Sequence, residues 1–195
     1  MLEHGRGELI AIVLPNLYLK EVLNSVSLTV RETWTVIHGM VIGALFLVSF
    51  TGGLFGLLSL RPELVTGEGA RKIVTRLANW MWLMAATAWL TVITGTYIVY
   101  PWYRAPDPSS PRSVLLANPA TAEWHEFGME WKEHVAWFAP LLATAAAYVV
   151  WYYGKQLVNE EKARKAAMVV FSLAFFAAAV AGIFGAFLNK AAPTR

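Results

Sequence analysis

The chain has no cysteine among its 195 residues. That excludes disulfides, thiolate metal sites, iron–sulfur clusters and covalent c-type heme, which needs C-x-x-C-H. Charge is scarce as well. Only 15% of residues are Asp, Glu, Lys or Arg, against about 25% in an average soluble domain. No polar stretch is long enough to form a separate soluble domain. The sequence has no P-loop, no G-x-G-x-x-G fingerprint and no Ser-x-Gly elbow; Gly67-x-Gly69 stands alone in a basic loop and reads as a turn. The apolar runs hold almost no charge to line a conducting pathway, which argues against a channel or transporter. The net charge of +3 is no nucleic-acid signal, because the excess Lys and Arg sit in two short loops.

What the chain does have is apolar length, with 57% hydrophobic residues. Four runs reach the roughly 20 residues a membrane crossing needs, at 35–60, 77–103, 132–154 and 166–189. An all-α integral membrane protein follows, a single membrane domain built as a four-helix bundle. Residues 9–31 contain an apolar run too short to span, then a mixed stretch, and are expected to lie as an interfacial helix on one face. The N-terminus, MLEHGRGE, lacks the pattern of a cleavable signal peptide. Pro140 frees the carbonyl of Ala136 and should kink the third span. Gly39–Gly43, Gly52–Gly56, Ala178–Gly182 and Ala181–Gly185 are small-xxx-small pairs suited to close helix packing.

Loop 61–76 carries Arg61, Arg71, Lys72 and Arg76, and loop 154–165 carries Lys155, Lys162, Arg164 and Lys165. Lys and Arg in short loops mark the inner side. Both termini and the longer 104–131 loop are therefore expected outside, in a bacterial or archaeal cytoplasmic membrane. Trp and Tyr residues gather at both expected boundaries, as interfacial aromatics do.

The densest chemistry lies at the outer loop's end, in EWHEFGMEWKEHVAW (123–137). It holds His125, His134, Glu123, Glu126, Glu130 and Glu133, and an amphipathic outer extension of the third helix is expected there. Ionisable residues beside a span are functional candidates by default. Glu126, Glu130 and His134 fall at i, i+4, i+8 on one helical face.

The first and third spans run parallel, which puts His38 and His134 at matching ends. Two such imidazoles are the expected axial ligands of one b-type heme, with Phe46, Phe50, Phe138 and Leu141 walling the slot. Glu130 and Glu133 are the expected proton-handling or docking carboxylates, since neighbouring carboxylates near a boundary hold protons more tightly.

The expected function is a membrane-integral electron-transfer subunit, part of a membrane oxidoreductase, carrying electrons between quinol and a c-type cytochrome or partner subunit. Its expected partners are the lipid bilayer and other subunits or further copies of itself, without nucleic acid. Three alternatives stand beside it. One is a non-heme metal site on Glu126, Glu130 and His134, whose oxygen and nitrogen donors suit iron, manganese or zinc. A second is a copper site on His125, Met129 and Met40. The third is a structural or assembly subunit without chemistry. In general build the chain resembles small membrane anchor subunits of respiratory or photosynthetic complexes.

Overall fold

The computed structural model describes residues 28–65 and 67–193, and among them there are helices and turns but no strand. Four helices are long and apolar enough to cross a membrane: α1 (Val30–Ser59), α2 (Gly69–Tyr103), α4 (Pro119–Val158) and α5 (Glu161–Ala191). A short helix, α3 (Pro111–Leu116), lies in the connection between α2 and α4. The interfacial helix expected over 9–31 falls outside the described residues up to residue 27, and Val30 already belongs to α1.

α1 and α4 start ahead of their apolar runs because local signals extend them. At the start of α1, the Thr29 side chain accepts from Glu32 N at 3.2 Å while Glu32 Oε2 accepts from Thr29 N at 2.8 Å. This reciprocal capping box starts the helix five residues before the apolar run. Asn118 Oδ1 accepts from Ala120 N at 3.0 Å, with Pro119 at the first helical position, where its missing N–H costs nothing. α4 therefore begins well ahead of its apolar part. Gly154, at φ 51°, takes a backbone conformation open chiefly to glycine and starts the turn towards α5.

The helices form a ring in which α1 packs on α2, α2 on α4, α4 on α5, and α5 back on α1. This is the short-loop, up-and-down order of a four-helix bundle. The buried face of α4 is nearly all alanine (Ala139, Ala143, Ala146, Ala147, then Val150), at the spacing of one helical stripe. Small side chains there let α2 and α5 approach closely. Met81, Met84 and Leu77 of α2 and Phe171 of α5 fill the space that remains. The α1–α5 seam is aromatic, with Phe50 stacked on Phe175 at 3.9 Å between centroids and Phe46 on Phe175 at 5.9 Å.

Large apolar side chains also point outward along the bundle, among them Leu47, Val48, Phe55, Leu141, Leu173 and Phe176. Only 17–33% of the most apolar window of each span is buried inside the bundle, so these surfaces call for an apolar surrounding rather than water.

The glycine pairs divide. A Cβ on Gly52 would meet the Trp80 ring at 2.6 Å, one on Gly53 the Phe171 ring at 2.6 Å, and one on Gly56 Leu77 at 2.8 Å. Gly39, Gly43 and Gly182 face nothing within 4 Å, so close packing uses the Gly52–Gly56 stretch and not those three. The expected break at Pro140 is present. Residues 136 and 137 form a turn between two helical segments, and the Ala136 carbonyl accepts from Ala139 N at 3.1 Å.

Gly53→Val forces the fully buried Phe171 ring to move. It is expected to destabilise the protein by about 1–3 kcal/mol, the usual cost of overpacking, read as a lower unfolding temperature in detergent. Gly43→Val, with open space in front of it, should leave that temperature within about a degree.

Candidate functional site

Three of the spans carry a widened π turn: Ile37–Val41 in α1, Gly95–Val99 in α2 and Trp131–Val135 in α4. Such insertions are rare and recur at functional sites. They cluster at the same end of the bundle, opposite the basic loops. The links between them are side-chain contacts.

The first link joins α1 to α2. His38 Nδ1 lies 2.8 Å from Thr94 Oγ1. The Thr94 hydroxyl also lies 2.7 Å from the Leu90 carbonyl; when it donates there, it accepts from the ring. In that arrangement His38 carries its proton on Nδ1 and Nε2 is unprotonated, a tautomer assigned from the hydrogen-bond network. The ring edge rests on Gly95, where a Cβ would stand 3.1 Å from Cε1 and 3.7 Å from Nε2. Glycine at the start of the second π turn is what lets the imidazole lie flat against α2.

The second link joins α4 to α2. Tyr100 donates its hydroxyl to Glu133 Oε1 at 2.9 Å, and Arg104 Nη2 donates to the same oxygen at 3.2 Å. The Arg104 guanidinium also lies over the Tyr100 ring, 5.0 Å from its centroid. Nearby, His125 Nδ1 and Tyr103 Oη share a hydrogen bond of 2.6 Å. That pair is buried against Leu115, Met129 and Leu188 in a small second core that caps this end of the bundle. Glu133 and His125 thus both hold the start of α4 to the end of α2.

The third element is Lys132, whose neighbours are spans. Its Nζ lies 3.2 Å from where a Cβ on Gly185 of α5 would stand. The residue is half-buried and has no hydrogen-bond or ion-pair partner among the described residues.

The expected sites fare unevenly. His38 faces the bundle, but His134 does not. His134 is largely exposed, and its Nδ1 lies 3.1 Å from the Glu130 carbonyl and 3.2 Å from the Glu130 carboxylate. Among the described residues nothing joins His38 to His134. Of the expected slot walls, Phe46 and Phe50 are spent in the stack with Phe171 and Phe175, while Phe138 and Leu141 point outward. The Glu126–Glu130–His134 stripe supplies only the Glu130–His134 pair. Among the described residues no three His, Asp or Glu side chains come together as metal ligands. His125 and Met129 are both buried, but Met40 is exposed on another span, so the copper set is not assembled.

Sequence reasoning missed Thr94, Tyr103 and Lys132. Thr94-Gly95 in the middle of an apolar run was the available signal for the first. Lys132, a lone cation inside a run of carboxylates, was the signal for the last. Comparison with protein-family models, with curated proteins and with solved structures returns no match, so the side chains themselves carry the functional argument.

Thr94→Val removes the acceptor for His38 Nδ1–H and leaves a part-buried donor unmet. A loss of about 1 kcal/mol is expected, measured by thermal unfolding, and Thr94→Ser should restore it.

Proposed function

We propose that the protein is a membrane-integral electron-transfer subunit that receives a quinol at His38. The observation that carries this reading is the 2.8 Å contact of His38 Nδ1 with Thr94 Oγ1, which holds the imidazole between two spans at one end of an apolar bundle. With the Thr94 proton on the Leu90 carbonyl, Nε2 is the ring's hydrogen-bond acceptor. A quinol is an apolar ring with hydroxyl donors, and it reaches such a site from within the bilayer. Its hydroxyl donates to Nε2, and as an electron leaves the ring the phenolic proton passes to the imidazole. The electron goes to a one-electron acceptor, a c-type cytochrome or a cofactor in a partner subunit. Glu133 supplies a carboxylate between the spans and the polar end, and Glu130 lies beyond it in the open.

The Lys and Arg of the two short loops at the opposite end support an outer position for the His38 end, in what we read as a bacterial or archaeal cytoplasmic membrane. There, an exposed acidic stripe of Glu126 and Glu130 suits the approach of a basic electron carrier. Association with other subunits or a second copy fits the outward-facing aromatic surface of α4 and α5.

A second reading has one specific observation in its favour. A histidine whose Nδ1–H is anchored and whose Nε2 is free is oriented as heme-ligating histidines are. His38 would then help hold a heme b, and His134 would join it only if α4 turned that face inward.

Visible spectra of the detergent-purified protein, oxidised and dithionite-reduced, separate the two. The quinol reading expects no α-band, binding of a quinol analogue at low micromolar or tighter concentration, and at least a tenfold loss of that binding in His38→Ala. His134→Ala should bind as the unaltered protein does. A sharp reduced α-band lost in both His38→Ala and His134→Ala would replace the quinol with the heme.

A further inference from the structure

We propose that the cleft between α1 and α2 at the basic end of the bundle holds an anionic phospholipid, its phosphate on Arg76 and an acyl chain over Trp80. This cleft lies at the opposite end of the bundle from His38, so its occupancy does not depend on what His38 binds.

The cleft has a volume of about 330 Å³, within the roughly 300–1,000 Å³ of small-molecule sites. Glycines of α1 make room for it. Gly52 and Gly56 bring no side chain to their wall, and the Trp80 ring of α2 lies 2.6 Å from where a Cβ on Gly52 would stand. Phe55 and Ser59 complete the α1 wall, and Arg76 belongs to the α2 wall. The opening faces away from the core, since Phe55 is 67% exposed and Ser59 and Arg76 are exposed as well. From Ser59 back to Gly52 the cleft runs about 10 Å along α1, at 1.5 Å per residue.

Its two ends differ in chemistry. Ser59 and Arg76 stand nearest the basic loop, while Phe55, Gly52 and Trp80 lie deeper in the spans. Indole rings favour the boundary between headgroups and hydrocarbon. Arg76, one turn nearer the start of α2 than Trp80, therefore stands at the level of lipid phosphates. A molecule with a charged head and an apolar tail matches that order of walls.

Arg76 sets the sign of the head. It has no hydrogen-bond or ion-pair partner among the described residues, and no described carboxylate lines the cleft. Lys72 lies one turn before it on the same side of α2, and like charges at that spacing repel. A phosphate relieves that repulsion and accepts two bonds from the guanidinium fork. Basic pockets between spans hold anionic lipid headgroups in this way. A zwitterionic lipid gains less, because its own cation competes with Arg76 for the phosphate.

The test is native mass spectrometry of the full-length protein in detergent, titrated with dioleoyl phosphatidylglycerol or dioleoyl phosphatidylcholine. The two probes share acyl chains and differ in head charge. The unaltered protein should retain phosphatidylglycerol at least fivefold more than phosphatidylcholine at equal concentration. Arg76→Gln should bring the two to the same level, and Arg76→Lys should keep part of the preference. Ser59→Phe, which fills the cleft from an exposed position, should lower retention of both lipids. Lys155→Gln, in the other basic loop, should change nothing. Circular dichroism and unfolding temperature check that each variant is folded, and Arg76→Met replaces Arg76→Gln if that one is not.

Equal retention of the two lipids by the unaltered protein overturns the proposal, as does a preference that survives in folded Arg76→Gln or Arg76→Met. An equal loss in Lys155→Gln assigns the preference to overall surface charge and removes the cleft. Glycerol 3-phosphate, the head without its chains, should not displace the lipid at the same concentration; displacement there makes the site one for a free phosphate and removes the lipid.

Discussion

Backbone amides cannot be left unpaired in an apolar surrounding, and the architecture of this chain depends on that constraint. Helices satisfy it along their length, so the four spans are nearly continuous, and each departure from regular helix is met locally. The Ala136 carbonyl, freed by Pro140, finds the Ala139 N–H. Trp131 Nε1 reaches the Ala177 carbonyl on α5 at 3.3 Å, tying a widened turn to its neighbour. Threonine hydroxyls along α2 return to carbonyls one turn back, as Thr87, Thr91 and Thr94 do. Thr94 does this while it also touches His38 Nδ1 at 2.8 Å, so a bond that serves the helix also positions the imidazole.

Much of the fold is legible in the sequence because length and hydrophobicity decide it. The four spans, the break at Pro140 and the close approach at Gly52–Gly56 all follow from residue type and spacing. Span ends are less legible, since a capping box at Thr29 and an Asn-Pro start at Asn118 lengthen helices beyond their apolar runs. The site is where the sequence misleads. Glu126, Glu130 and His134 do share a face, as their spacing demands, but spacing does not say which way a face turns. The opposite stripe decides that. His125, Gly128 and Met129 are buried, with Tyr103 bonded to His125 and Phe184 packed 3.3 Å from the position a Cβ on Gly128 would take. Those contacts swing the acidic stripe outward and Lys132 towards Gly185 of α5. Pairing two histidines by matched depth overlooked rotation about the helix axis.

Charge is distributed unevenly between the two ends of the bundle. The end with the short loops holds Arg and Lys that bond nearby chain, as Arg164 does by donating to the Val158 carbonyl at 2.8 Å. The other end mixes signs, and its groups bind across helices: Glu133 to Tyr100 and Arg104, His125 to Tyr103. Among the described residues, polar side chains link spans at this second end and also between α2 and α4, where Trp89 Nε1 donates to Thr144 Oγ1 at 3.1 Å. Surface ion pairs contribute little to stability, about 0–1 kcal/mol each. The Glu133 cluster therefore matters more for where it holds α4 against α2 than for the energy of any one bond.

The length of α4 has a consequence of its own. Its helical parts, 119–135 and Phe138–Tyr153, make a broken rod of about 50 Å at 1.5 Å per residue, while the hydrocarbon layer is about 30 Å thick. Because the apolar part of the rod lies towards its C-terminal half, the surplus stands at the His38 end. The Tyr103–His125 pair and the α3 cap then rise above the hydrocarbon as a helical collar, within reach of water and of anything dissolved in it. His38 and its Thr94 partner lie below that collar. This end of the bundle therefore meets two media, lipid at its sides and water at its top.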